Sequence, residues 1–113
     1  MAAIRYVNAF VDGAPTQIPE YVARQPRYTV VDVADNSTTI SSTPAIFYSI
    51  HVNTALSAHA LPVLDGSATI ANLAASSAVG TNLVTVGIPC LTSLIVDPND
   101  AATGSVTVVW APL

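Results

Sequence analysis

The sequence predicts an all-β fold, a single-domain β-sandwich, on three observations. Fifteen valines and twelve threonines favour strands, because β-branched side chains suit a pleated, half-buried surface and lose rotamer freedom in a helix. Short runs of alternating apolar and polar residues recur along the chain, punctuated by eight prolines and five glycines. No stretch carries a sustained i, i+3, i+4 apolar stripe capped at both ends. The nearest, "TIANLAASSAVG", is short and rich in Ala and Ser and predicts at most one helical turn.

Residues 1–27 read as an extended N-terminal arm. They hold prolines at 15, 19 and 26, all three arginines (Arg5, Arg24, Arg27) and a single strand-like run, "IRYVNAF". An arm exposing Ile4, Tyr6, Phe10, Ile18 and Tyr21 to water would be wasteful, so these residues are expected to pack on a neighbouring subunit. The alternative, an edge strand and loop of the same domain, stays open.

Residues 28–113 are the predicted sandwich domain. "YTVVDV" (28–33), the polar turn "ADNS" and "TTIS" (38–41) read as a hairpin. "AIFYSIHVN" (45–53) alternates, with Ile46, Tyr48, Ile50 and Val52 on one face and Phe47, Ser49, His51 and Asn53 on the other. "LPVL-DG-SATIANL" is the clearest local signal, because Asp-Gly between apolar-alternating runs favours a type I′ turn. "TNLVTV" (81–86), "CLTSLIV" (90–96) and "GSVTVVW" (104–110) bring the set to about eight strands, a number that a jelly roll would also use.

Composition narrows the function classes. A chain of 113 residues suits one domain, burying roughly two-thirds of its unfolded surface. Charged residues make up 9% and hydrophobic ones 51%, against about 25% charged in an ordinary soluble domain. Part of that apolar surface is therefore expected against other subunits. There is no lysine, and the net charge is -4; nucleic-acid binding is disfavoured and a polybasic membrane anchor excluded, since both need clustered cations. No apolar run approaches the roughly 18 residues of a membrane span, and "MAAIRYVNAFVDG" lacks the apolar stretch of a secretory signal. Synthesis in the cytoplasm is the expectation.

The stretch "IHVNTALSAHALPVLDG" gathers both histidines, Ser57 and Asp65. A Ser57–His59–Asp65 triad lacks a nucleophile elbow and an evident oxyanion hole. His51 and His59 as zinc ligands lack a third and fourth partner, with Cys90 distant in sequence and set in an apolar run that suits a buried thiol. Asp97, Asn99 and Asp100 in "DPNDAATG" offer oxygens suited to calcium, but without a closing Glu they read as a turn completed by Gly104. Tyr6, Tyr21, Tyr28, Tyr48 and Trp110 would stack on sugars only if exposed, and Tyr48 and Trp110 sit in core-like alternation. No catalytic, cofactor or metal site is predicted. His51 and His59 are expected as hydrogen-bonded structural or interface residues, and acidification would weaken assembly if they met at a subunit boundary.

Three phrases carry a family resemblance: "SIHVNTALSAHALPVLDG", "ATIANLAASSAVGTNL" and "TSLIVDPNDAATGSVTVVW". From Ile46 onward the chain resembles small virion structural proteins of tailed bacteriophages, of the head decoration, cement or fibre type. It departs from them in lacking a proline within "TIANLAASS". The resemblance implies a non-enzymatic capsid decoration or cement protein on the particle surface, bridging subunits of the major capsid protein. It also implies a homo-oligomer, expected as a trimer, with no cofactor. A receptor- or glycan-binding fibre or spike module is the alternative it leaves open.

Overall fold

The computed structural model describes residues 25–113 in full, and before them the backbones of two strands, β1 (Tyr6–Val11) and β2 (Ala14–Pro19). These two pair antiparallel, from Tyr6 opposite Pro19 to Val11 opposite Ala14, and form a two-stranded sheet of their own. The segment expected as an extended arm with one strand thus contains a hairpin. Pro15 and Pro19 stand near the two ends of β2, in a sheet whose strands are both edges, where proline is tolerated. Ile4 and Tyr21, and the side chains of Tyr6, Phe10 and Ile18, lie outside the described residues.

The eight remaining strands are β3 (Arg27–Asp32), β4 (Thr38–Ser41), β5 (Ala45–Thr54), β6 (Leu61–Asp65), β7 (Ala68–Leu73), β8 (Asn82–Cys90), β9 (Leu94–Val96) and β10 (Ser105–Pro112). They make two four-stranded sheets, ordered β3-β10-β5-β8 and β4-β9-β6-β7. All six pairings described are antiparallel; four are nested, β3 with β10, β4 with β9, β5 with β8 and β6 with β7, and β10 with β5 and β9 with β6 join these into the two sheets. That nesting is a long hairpin rolled up on itself, the strand order of a jelly roll. The core lies between the sheets, with Val31, Phe47, Ile50, Val52, Val106 and Val108 from one side meeting Leu61, Val63, Leu73, Leu94 and Val96 from the other.

Four sequence expectations are corrected. β3 and β4 are not a hairpin; a 3-10 turn at Val33–Asp35, capped by the Asp32 carboxylate accepting from Ala34 N at 3.0 Å, carries the chain from one sheet to the other. Val33 is buried there and donates its amide to Gly104 O, so the run "YTVVDV" ends in the core rather than in a tight reversal. The strand expected to begin at Cys90 begins at Leu94, because β8 runs on through Cys90 and residues 91–93 form the bend.

The third correction concerns β5, whose alternation changes phase. Ala45 and Phe47 are buried, then Ile50 and Val52. Between them Tyr48 is skipped by β10, and it faces the longer stretch Thr85–Gly87 of β8. The Thr85 hydroxyl lies 2.9 Å from the carbonyl oxygens of both Phe47 and Tyr48 and accepts from Gly87 N. Gly87 adopts φ 103, and a Cβ there would stand 3.2 Å from Ile46 and Tyr48 side-chain atoms. Such a bulge exchanges the two faces, which puts Phe47 in the core and leaves Ile46 and Tyr48 half-buried.

The fourth concerns the predicted Asp-Gly turn. Asp65 pairs with Ala68, so the two-residue loop is Gly66-Ser67. Gly66 has φ 59 while Ser67 does not share the positive value. A positive φ at the first central position alone is the pattern of a type II′ turn, with glycine where that type needs it. The hairpin forms where expected, one residue later in register.

Candidate functional site

The sandwich separates the suspected triad. Ser57 and His59 belong to the loop between β5 and β6, whereas Asp65 closes the far end of β6, a strand of about 13 Å at 3.3 Å per residue. Ser57 is a loop fastener. Its hydroxyl accepts from Thr103 N at 3.0 Å, its amide donates to Thr103 O, and its carbonyl accepts from Ser76 N. The β5–β6, β7–β8 and β9–β10 connections are thereby tied together at one end of the sandwich. Gly104 completes this end: at φ 127, a Cβ would lie 2.9 Å from Ala55 O and Leu56 Cδ2.

Asp65 ties the opposite end. Its carboxylate accepts from Leu91 N at 3.0 Å, Thr92 N at 2.9 Å and Ser93 N at 3.3 Å, while Gly66 N donates to Ser93 Oγ. The Thr92 amide, helped by those of Leu91 and Ser93 and opposed by desolvation, holds the Asp65 carboxyl below its usual range. Nearby Cys90 is buried, and burial, with Asp65 adding to it, pushes its thiol up to about 11. Asp65 is thereby kept as the accepting carboxylate and Cys90 as the neutral thiol.

The remaining candidates take structural places. Asn99 Oδ1 accepts from Ala101 N and Asn99 O from Ala102 N, so "DPND" is a turn with its side-chain oxygen turned onto the backbone. Among the described residues no three of His, Cys, Asp and Glu come together as metal ligands, and no helix is long and apolar enough to cross a membrane. Trp110 packs against the core, donates Nε1–H to Thr29 Oγ1 at 3.0 Å, and carries the Arg27 guanidinium 5.4 Å from its ring centre.

One surface departs from this pattern of internal use. Register places Tyr28, Val109, Ser49 and Val84 in one cross-strand row of the β3-β10-β5-β8 sheet, and Val30, Thr107, His51 and Asn82 in the next. The row between them supplies the core residues Val108 and Ile50 and the row beyond them Val31, Val106 and Val52, so these two rows face outward. Tyr28 is 71%, Val30 60%, Val84 68% and Val86 103% exposed. His51 is the only titratable side chain in the two rows besides the Tyr28 phenol, and its neighbour Thr107 accepts from Asn53 Nδ2 at 2.7 Å. His59 is half-buried in its loop.

Sequence reading placed Val84 and Val86 on a strand without seeing their exposure. The signal was present in "NLVTV", where Leu83 faces the core and Val84 and Val86 take the other phase. A strand apolar on both phases needs cover on both faces. Neither a protein-family model, nor a curated protein, nor a solved structure matches the chain.

Proposed function

We propose that the chain is a non-enzymatic structural protein of bacteriophage particles, a decoration or cement protein that stabilises the head by bridging subunits. The observation that carries the reading is the outward face of the β3-β10-β5-β8 sheet, where Tyr28, Val30, Val84 and Val86 stand in water. Tyr28 and Val30 stand at one edge of this face and Val84 and Val86 at the other, with Val109 between them, and exposed apolar side chains gathered on one face of a small domain suit a protein–protein contact. The phage resemblance of residues 46–113 supplies the setting, and the low charge suits a surface buried in assembly. The partners are the major capsid protein and further copies of the chain, expected as a trimer. Several weak contacts would act together through high effective concentration.

Quantitative mass spectrometry of purified particles tests this reading. The chain is expected in a fixed ratio to the major capsid protein, and its absence from particles would falsify the assignment. Tyr28, exposed on the same face, also favours a second reading, a glycan-binding spike module, since a free aromatic face can stack on a sugar ring. Glycan-array binding that disappears in Tyr28→Ala would favour it over the first. Trp110 is the poorer probe, its indole being engaged with Thr29 and Arg27.

A further inference from the structure

The bend that joins β8 to β9 hangs on one side chain. Residues 91–93 cross from one sheet to the other between Cys90 and Leu94, both fully buried. The amides of Leu91, Thr92 and Ser93 all donate to the Asp65 carboxylate, and among the described residues none of them donates to a backbone carbonyl. Packing adds little, since Leu91 is 69% exposed and Thr92 stands in water beside it. The bend's further tie is the donation from Gly66 N to Ser93 Oγ at 3.2 Å.

The opposite end of the sandwich is fastened by groups that do not ionise. There Leu56 N donates to Ser77 O, Ser57 N to Thr103 O, Ser76 N to Ser57 O and Val33 N to Gly104 O, and the Ser57 hydroxyl supplements them. Acid leaves these bonds as they are. At the Asp65 end a single proton removes the charge that strengthens three bonds, and turns one carboxyl oxygen into a donor facing other donors. The Cys90 thiol is the one other titratable group of β8 at this end, and β7, β9 and the bend itself carry none.

We propose that residues 91–93 form an acid-released strap: protonation of Asp65 frees the bend and opens Cys90 to solvent while the two sheets stay packed. The ladders of β8 with β5, and of β6 with β7 and β9, do not run through the bend, so they survive its release. Openings of this kind, small and local, cost less than unfolding the whole domain. Because its three amide donors hold the Asp65 carboxyl below the usual range, the strap is closed at neutral pH and is released only as pH falls through that lowered value. The device works within a single chain and needs no partner.

Cys90 is the sole cysteine of the chain and reports the opening directly. The full-length protein is labelled with 4,4′-dithiodipyridine, which reacts with thiols in acid as well as at neutral pH, and each rate is divided by that of the unfolded chain at the same pH. At neutral pH Asp65→Asn is expected to label at least about tenfold faster than the unaltered chain, with a rate nearly flat in low urea because little surface is exposed. Between neutral pH and about pH 2 the unaltered chain should climb toward the variant, whose own ratio stays level. Ser57→Ala, which loosens the opposite end, should leave the urea-independent labelling where it was. Labelling of Asp65→Asn as slow as in the unaltered chain, or with the full urea dependence of global unfolding, overturns the strap. So does a Ser57→Ala variant that labels as fast as Asp65→Asn, since the opening would then follow general loss of stability.

Discussion

The two sheets of the sandwich are built from the same kinds of residue and bury equivalent rows, yet their outer faces differ. On the β4-β9-β6-β7 sheet the outward row Thr39, Ile95, Leu64 and Thr69 keeps its two large apolar members half-covered. On the β3-β10-β5-β8 sheet both edge strands hold large apolar side chains in open water, Tyr28 and Val30 at one edge and Val84 and Val86 at the other. Apolar alternation explains the shared core. It does not explain the surplus on one face, which adds nothing to folding of the single chain and is what the proposed contact with another would cover.

The largest effect is expected where the sheets are alike. Phe47 is fully buried between them, and Phe47→Ala should cost about 3–5 kcal/mol through lost burial and the cavity left behind. Denaturant unfolding checks this, and a loss below about 1 kcal/mol would mean that the bulge at Tyr48 does not commit Phe47 to the core. Gly104→Ala comes next: a Cβ at φ 127 would meet Ala55 O at 2.9 Å, so a loss of about 1–3 kcal/mol is expected, read as a fall in Tm.

Asp65→Asn probes the opposite end of the sandwich and should lower Tm by less. Its pH dependence is distinctive. Because the folded carboxyl titrates below its ordinary value, its contribution is present above the unfolded pKa of about 3.9 and is lost as pH falls through the lower folded value. The Tm gap between the unaltered chain and Asp65→Asn should therefore be full at neutral pH and close in acid. A gap independent of pH would show that the carboxylate charge is not what holds residues 91–93.

The smallest stability effects separate the two outer faces most cleanly. Val86→Lys and Thr39→Lys both alter exposed side chains and should change stability by no more than about 0.5 kcal/mol. Only Val86→Lys is expected to reduce association; equal behaviour of the two in sedimentation would erase the distinction between the sheets. Cys90 is a control on integrity. With its thiol raised to about 11, it should resist alkylation at pH 8 in the native chain and react after unfolding.

Local signals in the sequence located the strands but not their partners. All eight runs of the sandwich became strands in order, and Gly66 turned the β6–β7 hairpin near the predicted place, because alternation and turn chemistry act over a few residues. Sheet membership is long-range: β3 pairs with β10 across nearly the whole domain, and no feature of "YTVVDVADNSTTIS" says that its two strands part. The face assignment in β5 failed for a related reason, since the bulge that moves Phe47 inward depends on Thr85 and Gly87 in β8. The β8 edge was legible only as a strand, because exposure is set by where the sheet ends. Ser57 and Asp65 attracted suspicion as reactive groups, and both turned out to hold backbone amides distant in sequence.

Hydrogen exchange on the full-length chain over a range of concentrations bears most directly on the uncovered face as an assembly surface. Amide exchange in Asn82–Ile88 should slow in step with a rise in mass above 11.6 kDa, while β4 and β7, the edges of the other sheet, exchange at an unchanged rate. A mass that never exceeds the single chain, or an oligomer in which β8 exchanges as fast as in the monomer, would contradict it.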